Sequence, residues 1–203
     1  MSDVKLKRKL GLAQFGLYYN VEYELKDKDG KAKKLFQENP LCRLLLNKGT
    51  ISPLWINSPY APLLSPFLGH YSNKIVVKNL ITNAGFAGAA SRLNGADAEA
   101  AFTYIAVGTG TTAANVADTT LVTETAASGL TRAAGTASRV TTTQTNDTAQ
   151  VTKTFSVSGT VAVTESGLLN ASSVGVLLCR QVFTAINVVS GDSLAITWKI
   201  KCA

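Results

Sequence analysis

Few side chains in this sequence are of types that could do chemistry. There is one histidine, His70, and three cysteines, Cys42, Cys179 and Cys202. Four acids, Asp118, Glu124, Glu165 and Asp192, are spread through a C-terminal half rich in Thr, Ser, Ala and Val. Nucleophilic catalysis needs a base beside a nucleophile and an acid to orient the base. His70 stands in a proline-rich stretch with no acid near it in sequence. Glycosidic cleavage needs two facing carboxylates, and no spacing selects two of the four. Glu165 adjoins an apolar run, so a bond to a turn or a pairing with Arg180 or Arg132 is expected of it.

Gly108-Thr109-Gly110 follows an apolar strand-like run. A dinucleotide loop would need a third glycine where Ala113 stands, and no Gly-Lys-Ser/Thr phosphate loop occurs. The expected role is a tight turn with positive φ. Asp27-Lys28-Asp29-Gly30 lacks the third acid and the distal Glu of a calcium loop. Three widely spaced cysteines form neither a disulfide framework nor a zinc pattern, and Cys179 and Cys202, in apolar runs, are expected to be buried thiols. No catalytic residue, cofactor or metal is therefore expected, and the chain reads as non-enzymatic.

The elements that would position these residues are mostly strands. Val21-Glu22-Tyr23-Glu24-Leu25 alternates apolar with acidic, and Asp29-Gly30 then precedes a basic stretch through Phe36. That pattern predicts a hairpin with a type I′ turn, acids facing lysines. Asn39, Pro40 and Gly49 bracket a short helix as cap, first position and stop. Residues 51–70 hold Pro53, Pro59, Pro62 and Pro66 among Trp55, Tyr60 and Phe67, which predicts an extended packed connector. Residues 75–81 give a strand or short helix, and a small-residue helix should end near Asn94-Gly95. From Phe102 onward strands are expected at 103–107, in a long pair 130–143 and 149–163 around Asn146-Asp147, at 174–183 and at 193–202. The last has period two, with Leu194, Ile196, Trp198, Ile200 and Cys202 on one face. Such a series predicts a mainly β chain: an antiparallel β-sandwich or jelly-roll-like module. The division expected is an N-terminal arm, 1–20; a hairpin, helix and connector, 21–70; and the β-module, 71–203.

The 203 residues are 46% hydrophobic and 16% charged, which is a folded composition. Of the net charge of +7, +5 falls in residues 1–50, much of it in Lys5, Lys7, Arg8 and Lys9. A basic arm can bind nucleic acid, an anionic membrane or an acidic protein surface, or serve only for solubility. Phe15, Tyr18 and Tyr19 add aromatic anchors to it, and Trp55 and Tyr60 would add two more if they stand exposed on the connector. No apolar run is long enough for a transmembrane helix or a signal core, so production in a cytoplasm is expected.

The order of motifs from residue 103 resembles a module of bacteriophage virion proteins, including the tail-collar fibre type. It opens with Tyr104-Ile105-Ala106-Val107-Gly108-Thr109-Gly110 and passes Asp118-Thr119-Thr120-Leu121, Glu124 and Leu130-Thr131-Arg132. It continues through Asn146-Asp147-Thr148-Ala149 and Phe155. Ala162-Val163-Thr164-Glu165-Ser166-Gly167-Leu168-Leu169 follows, then Leu177 to Phe183 and Gly191-Asp192. About half the chain is covered. No fibre repeat or heptad follows, and the chain stops after the last strand. The resemblance thus implies a small accessory part of a virion: a capsid decoration or cement protein, or else a tail or collar adaptor for host attachment. The expected partners are capsid or tail subunits, with symmetric self-association, a trimer by analogy. A nucleic-acid-binding protein using the basic arm is the third reading. A membrane partner is not expected.

Overall fold

The structure, a computed structural model, describes residues 17–78 and 80–202, with side chains from Asn20 onward. The chain runs β1 (Leu17–Lys26), β2 (Leu35–Glu38), α1 (Pro40–Asn47), a 3-10 turn (Pro53–Asn57), α2 (Ala61–Leu68), β3 (Gly69–Ser72), β4 (Lys74–Lys78), β5 (Leu80–Ile81) and α3 (Asn83–Asn94). After a second 3-10 turn (Ala96–Ala98) come β6 (Tyr104–Gly108), β7 (Ala133–Ala134), β8 (Thr136–Val140), β9 (Thr148–Ser156), β10 (Val161–Leu169), β11 (Leu177–Val188) and β12 (Ser193–Cys202).

Two antiparallel five-stranded sheets, ordered β4-β1-β12-β9-β8 and β5-β11-β10-β6-β7, face each other as a β-sandwich. Alternation builds the core. Val21, Tyr23 and Leu25 of β1 and Leu194, Ile196, Trp198 and Ile200 of β12 point inward from the first sheet. Ile105, Val107, Val163, Leu168, Phe183 and Ile186 meet them from the second. The Tyr23 ring lies 4.4 Å from Phe183, and its hydroxyl shares a 2.6 Å hydrogen bond with Ser166 across the sandwich. Trp198 is fully buried, as its place on β12 predicts.

The helix capped by Asn39 forms as expected: the Asn39 side chain accepts from the Cys42 N–H at 2.9 Å, and Pro40 begins it. The helix α3 ends at Asn94, with Gly95 in the left-handed region.

The hairpin at 21–36 does not form as predicted. The chain turns at Asp27–Lys31, where Asp27 Oδ1 accepts from the N–H groups of Asp29 and Lys31. Only Gly30 has positive φ, so the turn is not type I′. After one bridge, Lys26 to Ala32, the return chain leaves, because both edges of β1 are taken. β12 pairs with it from Leu17–Cys202 to Lys26–Ser193, and β4 pairs along the other side. β2 pairs with β3 instead. The acids of β1 are answered by other lysines: Glu22 bonds Lys199 at 2.6 Å and Lys74 at 2.5 Å. β1, expected to precede the β-module, is an interior strand of its first sheet.

Three further expectations change. Residues 51–70 are not extended; a 3-10 turn capped by Ser52 and the helix α2 replace the connector. Residues 149–163 are not one strand: the chain crosses between sheets after Ser156, so β9 and β10 bury their valines from opposite sides. Cys202 is exposed because β12 has reached its end, whereas Cys179 is buried. No helix among the described residues is long and apolar enough to cross a membrane.

Candidate interaction surface and buried acid–arginine network

Residues 35–72 fold over the outer face of β11 around a small second core: Phe36, Cys42, Leu46, Trp55, Ala61 and Leu68. Phe36 and Trp55 meet edge to face at 5.0 Å. This unit is bolted to β11 by polar bonds. Trp55 Nε1 donates to Thr184 Oγ1 at 3.2 Å, and Arg43 Nη1 donates to the Val182 carbonyl at 2.5 Å. Glu38 accepts from the Thr184 N–H and pairs with Arg43. Gln37 covers the open edge of β4, taking the Val76 N–H at 2.7 Å and giving a bond to the Val76 carbonyl at 3.0 Å. An edge blocked in this way cannot recruit another strand. Burial pushes the Cys42 thiol up to about 11, which keeps it protonated and unreactive at neutral pH.

The far side of this unit is apolar, and no described residue covers it. Leu41 and Leu44 of α1, Leu63, Leu64 and Phe67 of α2, and Tyr60 and Tyr71 beside them are all exposed, Leu63, Phe67 and Tyr60 by about two-thirds (68%, 69% and 66%). The two helices adjoin. Asn39, the cap of α1, donates its backbone N–H to the Leu68 carbonyl at 2.9 Å and its side-chain amide to the Phe67 carbonyl at 2.7 Å. The first turn of α1, with Leu41, therefore meets the last turn of α2, with Phe67. Tyr71 stacks edge-on against Phe36 at 5.3 Å.

Of the anchor residues expected from sequence, Tyr60 stands on this face. Trp55 does not: it is buried against β11 and packs on its own domain. Lys5, Lys7, Arg8, Lys9 and Phe15 lie outside the described residues, and Tyr18 and Tyr19 are described only as backbone of β1. Phe67, noted in sequence among the aromatics of the connector, also stands here; Leu63, Leu41 and Leu44 went unnoticed, because leucines on short helices read as core. One signal was available: no Asp or Glu occurs between Glu38 and Asp97.

The acids singled out in sequence are all engaged in ion pairs. Glu165 is fully buried on the outer face of the second sheet. It takes Arg180 Nε at 2.8 Å and the backbone N–H groups of Gly110, Val122 and Thr123 at 3.1, 3.1 and 2.7 Å. It thus both bonds a turn and pairs with Arg180, which were expected as alternatives beside a pairing with Arg132. Arg180 also reaches Asp118 Oδ2 at 2.8 Å and the Thr112 carbonyl at 2.9 Å. Together they hold the 109–125 loop down over β6 and β10. Gly108 and Gly110 do not have the positive φ expected of a tight turn. They are glycines because a Cβ at Gly108 would lie 2.6 Å from Glu165 Oε1, and one at Gly110 would collide with the same carboxylate. Elsewhere Glu124 pairs with Arg132, and Asp192 accepts from Lys33 Nζ at 2.8 Å and the Val189 N–H at 2.9 Å. His70 is exposed on β3. Among the described residues no three His, Cys, Asp or Glu side chains converge to hold a metal ion.

The chain matches no protein-family model, no curated protein and no solved structure.

Proposed function

We propose that this chain is a non-enzymatic structural subunit of a bacteriophage particle, an accessory protein that decorates or cements the capsid surface through its N-terminal region. The observation that carries this reading is the apolar face between Leu41 and Tyr71, which no described residue covers. A protein that works alone buries such a surface; one made for assembly presents it. The β-sandwich behind it supplies a rigid body. The acids that could have formed a hydrolytic pair serve structure instead: Asp118 and Glu165 share Arg180, Glu124 holds Arg132, and Asp192 holds Lys33. The resemblance of residues 103–202 to the tail-collar type of module favours a second reading, a collar or tail adaptor.

Quantitative protein analysis of purified particles tests both. Hundreds of copies per particle is the expected result; a few to a dozen copies would move the protein to the tail or collar. Its absence from particles would overturn the structural assignment.

A further inference from the structure

We infer that the apolar face formed by α1, α2 and Tyr71 is where a second copy of this chain docks. The inference rests on reading that face as an assembly interface, and it names the first partner that occupies it.

Area is the first ground. Seven large side chains, six of them 48–69% exposed, stand on these adjoining elements: Leu41, Leu44, Tyr60, Leu63, Leu64, Phe67 and Tyr71. At roughly 100 Å² each, they present on the order of 700 Å² of apolar surface. Monomeric proteins seldom leave patches above about 300–600 Å² uncovered. Each partner of a stable standard-sized complex contributes about 800 Å². The face is therefore close to one half of such an interface, before its polar rim is counted.

Charge is the second ground, and it selects the occupant. An interface between identical faces must not set like charges against each other. From Pro40 to Ser72 there is no acid, and the basic residues are Arg43, Lys48 and His70. Arg43 is neutralised by Glu38. Lys48 is the one cation of that segment with no carboxylate partner among the described residues. Two such faces can meet with little repulsion. The chain's own basic segment, residues 1–16, offers Leu10, Leu12 and Phe15 but also Lys5, Lys7, Arg8 and Lys9, and it would find no carboxylate here to receive them. An acidic partner would likewise have only Lys48 to pair with.

The test is the solution mass of the full chain over a concentration series, by light scattering or sedimentation. The wild type is expected as a multiple of 21.4 kDa. Leu63→Asp with Phe67→Asp should return it to the single-chain mass. Leu93→Asp, at an exposed position on α3, should leave the multiple intact. Both residues of the double variant are surface residues, so unchanged circular dichroism and Trp fluorescence would certify its fold. Tyr60→Ala offers a milder second variant, expected to raise the dissociation midpoint several-fold. A wild type that stays single at every concentration overturns the inference, as does a multimer indifferent to both face variants. A wild type that is single, but multimeric once residues 1–16 are removed, would show that the arm covers the face in cis, and would overturn it too. A single chain found in purified particles would sink self-association while leaving the structural-subunit reading standing. A multimer absent from particles would do the reverse.

Discussion

Arg180 is the charge that the outer surface of the second sheet is built around. Its side chain is fully buried and faces two carboxylates, the buried Glu165 and the partly exposed Asp118. The partners are not equivalent. Glu165 also receives three backbone N–H groups, which would be orphaned without it. Truncating it leaves those donors and part of the Arg180 charge unsatisfied, so Glu165→Ala should cost about 3–5 kcal/mol. Arg180→Met leaves Glu165 its three N–H donors and should cost less, as read from urea denaturation. The opposite order would refute this account of the network. Trp198 is a second case in which shape and polarity separate. Its indole is fully buried, yet its Nε1 finds no hydrogen-bond partner among the described residues. Trp198→Ala should cost about 3–5 kcal/mol for the cavity. Trp198→Phe keeps much of the volume and removes an unsatisfied donor, so its cost should stay below about 2 kcal/mol. Equal losses for the two variants would show that the N–H is bonded after all.

The β8–β9 hairpin depends on one carboxylate at its closing end. Asp147 accepts from the N–H groups of Thr142, Thr143 and Gln144 at 2.9, 2.9 and 3.0 Å. Burial opposes ionisation, but the donors of Gln144, Thr142 and Thr143 outweigh it and hold this carboxyl well below its usual range. A carboxyl depressed in the folded state stabilises above its unfolded value, near pH 4, and that stability is lost as pH falls further. Glu22 acts in the same direction: burial raises its value, and Lys199 and Lys74 lower it by more. Thermal melts from about pH 7 to about pH 2 should show the wild type losing stability below about pH 4. Asp147→Asn should be less stable at neutral pH and lose less on acidification; a parallel pH profile would contradict this. Where sequence alone predicted elements well, the signal was local. The caps at Asn39 and Gly95 and the period-two pattern of β12 are fixed by near neighbours, and each formed. The hairpin at 21–36 failed because strand choice is a competition between distant segments. β1 gains ten paired residues from β12, which no turn signal at Asp29-Gly30 can outweigh. The site was legible in part for the same reason. Glu165 and Arg180 lie fifteen residues apart on adjoining strands and were anticipated. Asp118 was not seen as their third member, because it arrives on a loop. The apolar face was hidden among leucines whose exposure depends on which side of α1 and α2 the second sheet covers.

At the scale of the molecule, the N- and C-terminal parts of the chain are joined: β1 lies between β12 and β4, and the unit of residues 35–72 is fastened to β11. The described chain begins with Leu17 paired to Cys202. Ahead of it stand Lys5, Lys7, Arg8 and Lys9, four cations within five residues. Such a cluster suits a partner surface rich in carboxylates, whereas the face at Leu63 and Phe67 suits an apolar one. Under the proposed function and the proposed self-docking, the basic arm would attach the protein to the particle and the apolar face would join copies to each other. The cut that separates them must fall before Leu17, because removing residues 17–20 would strip β1 of four pairs with Lys199–Cys202. Deleting residues 1–16 should leave the circular dichroism unchanged, because every described strand pair survives, and should leave the oligomer intact. Incorporation into particles should fall away, and raising the salt concentration should weaken binding of the whole protein to stripped particles in the same direction. Normal occupancy by the shortened chain would show that attachment runs through the sandwich or the apolar face, and the division of labour would be wrong.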